Sequence, residues 1–158
     1  MVHHDDFEEY TDETFTDDMV HHLDQLEKNT VRNPSYFEMF IHRNGDDTNY
    51  VSRIGRQFGL HSQSTRIILH PNFAIIYESD PDTVTIGEIF YNIPSSGEED
   101  PTLENVVLTQ MRLAFNQITE GKEIHFGYLE KGQKEILQKV MDLDESVMDQ
   151  ERGLTHGK

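Results

Sequence analysis

Residues 65–93 read TRIILHPNFAIIYESDPDTVTIGEIFYNI. Three runs rich in Ile, Val, Thr, Phe and Tyr are separated by His70-Pro71-Asn72-Phe73 and by Pro81-Asp82. Runs of those residue types, bounded by such turn formers, make strands. Connections this short join their strands antiparallel. RIIL and FAIIY are apolar at consecutive positions, which suits a sheet covered on both faces. The covering layers should then come from the flanking sequence.

Upstream, YFEMFIH, RNGDD and TNYVSRI (residues 36–54) have the form of a hairpin, with Asn44-Gly45 supplying the positive φ angles of a type I′ turn. Phe37, Met39 and Ile41 alternate on one face, and Tyr50 and Ile54 can meet them across the pair. That makes five strands, and EIHFGYL (residues 123–129) is a candidate sixth. Thr14 with Asp17 three residues on resembles a helix-capping pair, and Phe15, Met19, Leu23 and Leu26 follow at helical spacing. A helix is therefore expected over 14–29, punctuated by Pro34. Asp100-Pro101 starts a second helix and Gly121 ends it, with Val107, Met111, Ala114 and Ile118 on one stripe. A third, over 131–149, carries Ile136, Val140, Leu143 and Val147. The expected fold is α+β: a five- or six-stranded antiparallel meander sheet packed by an N-terminal helix and two C-terminal helices. One domain spans 14–150. An acidic arm at 1–13, which its composition allows to be flexible, precedes it, and a frayed tail at 151–158 follows.

Charge gives the sequence its functional shape. The net charge is −17 over 158 residues, and residues 1–30 hold ten acids against one base, Lys28. Residues 31–93 hold seven acids against five bases, all arginine, and residues 94–158 hold 13 against seven. Such a chain is repelled by bare nucleic acid and anionic membranes, so its natural partner is basic. With no cysteine, disulfides and cysteine-ligated zinc are excluded. No apolar run approaches the ~20 residues that span a bilayer, and no signal peptide opens the chain. These features suit an intracellular, cytoplasmic protein, in a host cell if it is viral.

The string MVHH occurs at 1–4 and again at 19–22. On one continuous helix the two pairs would lie roughly 27 Å apart at 1.5 Å per residue, too far to share a metal ion. Adjacent histidines diverge by about 100° on a helix, and the i, i+4 pairing of zinc helices is absent. His21, one turn from Asp17 and Asp24, reads as part of a solvated acidic face. No metal or cofactor site is expected. Phosphate-binding glycine loops, a nucleophile elbow and a calcium loop are also missing.

Two surfaces remain. The first is acidic: Asp5, Asp6, Glu8, Glu9, Asp12, Glu13, Asp17, Asp18, Asp24 and Glu27. Carboxylates three and four residues apart on a helix stand about 5–6 Å from one another, and with flexible side chains they can imitate the phosphates of a nucleic-acid strand. The expected function is a non-enzymatic one, an inhibitor or nucleic-acid mimic occupying the basic surface of a partner such as a nuclease or a host defence complex. The second surface is a rim of Arg43, Arg53, Arg56, His61 and Arg66, suited to a small anionic ligand such as a nucleotide or signal molecule. A third reading is a structural or assembly subunit kept soluble by its acid.

Overall fold

A computed structural model describes residues 7–29, 49–92, 101–127 and 131–143. Along the chain these form β1 (Glu9–Tyr10), α1 (Asp17–Asn29), α2 (Tyr50–Gln57), a 3₁₀ turn at Ser62–Ser64, β2 (Thr65–His70), β3 (Phe73–Ser79), β4 (Thr83–Tyr91), α3 (Pro101–Thr119), β5 (Glu123–Phe126) and α4 (Lys131–Leu143). The strands lie side by side in chain order in one sheet. β1 to β4 are antiparallel neighbours, but β5 runs parallel to β4. The sheet is therefore mixed, not the antiparallel meander its short turns implied.

The length of α3 explains the reversal. β4 has nine residues and α3 has 19, so the strand runs about 30 Å and the helix about 28 Å. The helix thus carries the chain back along the whole strand. β5 starts where β4 started, with Glu123 opposite Thr83, and must run the same way. Gly121, at φ 72°, ends the helix as its position in the sequence suggests.

The second departure is the YVSRI part of TNYVSRI, which lies in a helix, not a strand. Tyr50, Val51 and Ile54 are all buried in α2. Adjacent buried residues followed by a third after three more positions fit a 3.6-residue period and not an alternating one. The rest of the expected hairpin, YFEMFIH and Asn44-Gly45, lies outside the described residues, as does Val147.

Two apolar cores flank the sheet. On one side Ile67, Ala74, Ile76 and Phe90 meet Val20, Leu23 and Leu26 of α1 and Tyr50, Val51 and Ile54 of α2. On the other, Ile68, Phe73, Ile75 and Ile86 meet Leu108, Met111 and Phe115 of α3 and Leu137 and Val140 of α4. Each such side chain contributes about 1.5–3 kcal/mol relative to an exposed one. Ile86 and Ile89, three apart, would face opposite ways on an unbroken strand, yet both join the α3/α4 core. A bulge makes this possible: Ile76 pairs with Glu88 and Tyr77 with Ile86, leaving Gly87 as the extra residue. A Cβ on Gly87 would come within 2.8 Å of Leu60 Cδ1. Among the described residues, no helix is long and apolar enough to cross a membrane.

α2 lies close on β2 because Gly55 has no side chain. A Cβ there would stand 2.2 Å from Thr65 Oγ1 and 2.8 Å from its Cγ2. Thr65 is buried, and its hydroxyl donates to the His61 carbonyl at 3.0 Å, so it cannot swing aside. Gly55→Ala gains about 1 kcal/mol of helix propensity, but overpacking of this kind costs about 1–3 kcal/mol. The substitution should lower the urea midpoint. A raised midpoint would show that β2 yields to the helix.

Candidate functional site: a pinned acidic segment

The exposed acid of the N-terminal region lies on a segment fixed at several points. Phe7 is bracketed by the Gln117 side chain of α3. Its N–H donates to Gln117 Oε1 and its carbonyl accepts from Gln117 Nε2, both at 2.7 Å. β1 then pairs with β2 through Glu9 and Tyr10. Next comes a tight turn in which the Thr14 hydroxyl accepts from the Thr11 N–H at 2.9 Å. Thr16, not Thr14, caps α1, its oxygen facing the Met19 N–H at 3.4 Å. Phe15 is buried edge-on against Tyr10 and Tyr50.

Two of the carboxylates fasten this segment to α2. Asp12 accepts from the Ser52 N–H at 2.9 Å and from the Ser52 hydroxyl, which closes the open N-terminus of α2 from another part of the chain. The Tyr50 hydroxyl donates to Asp17. Tyr10 donates to Glu8 Oε1 at 3.2 Å. Burial, then the charge and hydrogen bond of Glu8, raise the Tyr10 phenol above its ordinary value. The Tyr77 phenol is raised further, by burial first and then by the charge of Glu9, while Arg66 opposes.

The acidic set predicted from sequence divides accordingly. Glu8, Glu9, Glu13, Asp17 and Asp18 are exposed, and Asp12 is half-buried. Asp24 and Glu27 do not belong to the surface, being 4% and 0% exposed. They face inward because Val20, Leu23, Asp24 and Glu27 follow the i, i+3, i+4, i+7 pattern of a buried stripe. Lys28 pairs with Asp24 at 3.2 Å, so the face around His21 is less acidic than its sequence implies. Asp5 and Asp6 lie outside the described residues.

The arginine rim is not assembled in one place. Arg53 and Arg56 stand on α2. Thr65 points at that helix, so its neighbour Arg66 points to the opposite face of the sheet, across from Tyr77 in register. His61 is exposed, and buried Glu78 holds it by accepting from its N–H at 2.7 Å and facing its Nδ1 at 3.0 Å. Arg43 lies outside the described residues.

Two histidines meet that no sequence spacing connected. His22 Nε2 donates to the His70 carbonyl at 2.9 Å across 48 positions. His70 Nδ1 accepts from the Asn72 N–H at 3.0 Å, which requires a neutral ring with its proton on Nε2. That ring stacks on Phe73 with centroids 4.4 Å apart, and Phe7 lies 6.1 Å away. Among the described residues, no three His, Asp or Glu side chains are placed to hold a metal ion. Compared with protein-family models, curated proteins and solved structures, the chain matches none of them. The contacts that the sequence concealed, Gln117 to Phe7, Ser52 to Asp12 and His22 to His70, join distant positions and leave no local pattern.

Asp12→Ala should cost about 1–2 kcal/mol in chemical denaturation, as loss of a helix cap does. Glu13→Ala should stay within about 0.5 kcal/mol. The pH dependence of His70 has a definite sign. Burial, then the charge of His22, hold its folded-state value below the ordinary one, which is about 6.5. As pH falls through that value the unfolded chain takes up a proton that the native ring resists, so native stability declines down to the folded-state value. His70→Asn keeps an acceptor near the Asn72 N–H but cannot titrate. Urea midpoints at pH 7.5 and 5.5 should therefore differ less in this variant than in the parent.

Proposed function

We propose that this protein is a non-enzymatic binding protein that uses its N-terminal acidic segment to occupy the basic, nucleic-acid-binding surface of another protein, such as a nuclease or a defence complex. The observation that carries this reading is the pinning of the segment. Five exposed carboxylates fall within residues 8–18, and no lysine or arginine precedes Lys28. Gln117, Ser52 and Tyr50 hold that stretch in one shape.

Acid needed only for solubility has no use for a fixed shape, whereas a mimic of a phosphate backbone gains from one. A segment ordered before binding does not lose that conformational freedom on association. Charge complementarity then steers encounter and is screened beyond about 8 Å at physiological salt. The anionic-ligand alternative draws less support, because Arg66 and the α2 arginines are on opposite faces of the sheet.

The test is affinity capture from a lysate of the source organism with a salt gradient, using the parent and a variant with Glu8, Glu9, Glu13 and Asp18 changed to Lys. The parent should retain a basic nucleic-acid-binding protein that nucleic acid displaces. Exposed charges are each worth about 0.2–1 kcal/mol, so reversing four should weaken retention by roughly tenfold or more. Equal retention by both proteins, or retention lost only on Arg53→Ala and Arg56→Ala, would defeat the reading.

A further inference from the structure

The first turn of α1 and the β2–β3 turn border an open cleft of about 450 Å³. Met19, Leu69 and Pro71 give it apolar walls, while Thr16, Asp18, His22 and His70 supply its polar groups. Backbone contacts hold both imidazoles in place, His22 through the His70 carbonyl and His70 through the Asn72 N–H. Among the described residues, no lysine or arginine lines the cleft, and its carboxylate there, Asp18, is exposed.

Two electrostatic effects compete here. A helix N-terminus carries about half a positive charge and on its own favours an anion. The first turn of α1 also holds the two carboxylates of Asp17 and Asp18. Of these only Asp18 lines the cleft, and its full negative charge alone outweighs half a positive one, so the cleft favours a cation. Its apolar walls add a second requirement, since a small hydrated ion gains nothing from Met19, Leu69 and Pro71. One kind of side chain meets both conditions, a long aliphatic stem that covers apolar surface and ends in a charged head.

We propose that this cleft receives a lysine or arginine side chain of the basic partner, its stem along Met19, Leu69 and Pro71 and its head at Asp18. The inference rests on the acidic-surface reading and adds an anchor to it. The other carboxylates of the segment steer the approach, while the cleft fixes where the partner's chain is registered. A single seated side chain among near-neutral neighbours is how binding energy is usually distributed in an interface.

The probe is a hexa-arginine peptide, titrated into the full chain at pH 7.5 and followed by backbone amide NMR, with an uncharged hexapeptide as control. Asp18→Asn and Glu13→Gln each remove one charge from the same segment and so separate the anchor from the general field. An anchor predicts shift changes concentrated at Met19, Leu69 and His70. It also predicts an affinity loss of about tenfold or more for Asp18→Asn and less than about fivefold for Glu13→Gln. Equal losses in the two variants, with no shifts at Met19 and Leu69, would overturn the anchor and leave the acidic-surface reading standing. Binding of hexa-arginine no tighter than that of the uncharged peptide would overturn both.

Discussion

β3 is the constraint on which the structure depends. From Phe73 to Glu78 every residue is buried, on both faces of the strand. A strand in that position needs an apolar layer on each side and paired neighbours at both edges. β2 and β4 supply the neighbours, α1 and α2 one layer, and α3 and α4 the other. The bulge at Gly87 lets β4 serve both cores with one run of residues. Once these places are filled, most of residues 7–16 have only the rim of the sheet left to occupy, and there Glu8, Glu9 and Glu13 meet solvent.

How legible all this was depended on whether the deciding interaction was local. β2, β3 and β4 declare themselves because dense β-branched runs are punctuated by Pro71-Asn72 and Pro81-Asp82. α1 and α3 show themselves by their period, and α3 also by Gly121 after its end, whereas the cap of α1 falls at Thr16 and not at Thr14. α2 was obscured because Tyr50 and Ile54 fit an alternating pattern as well as a helical one, and the preceding Asn44-Gly45 favours a hairpin. Burial of Val51 decides the matter, and burial is a tertiary fact. The direction of β5 turned on comparing a helix with a strand, since EIHF looks the same either way round. Asp24 and Glu27 show the opposite error: their spacing placed them inside, and their chemistry argued too strongly for outside.

The acid of this chain therefore has two roles that composition alone cannot separate. Some of it is structural. Asp12 closes a helix, Glu78 holds His61, and Asp24, Glu27 and Glu88 are buried within the domain. In the N-terminal region Asp17 holds Tyr50, while Glu8, Glu9, Glu13 and Asp18 are exposed along one stretch whose backbone is tied down. A net charge counts both kinds alike, and only the second is available to another molecule.

The bond between Phe7 and Gln117 spans 110 positions. Closing so long a loop carries an entropic cost that local contacts do not, and non-local contacts slow folding as a whole. While the chain emerges from the ribosome its first residues have no α3 to hold them, so the negative charge is present well before its arrangement is. Ser52, Tyr50 and β2 can hold part of the stretch earlier, but its anchor at Phe7 is complete only once translation has passed Gln117.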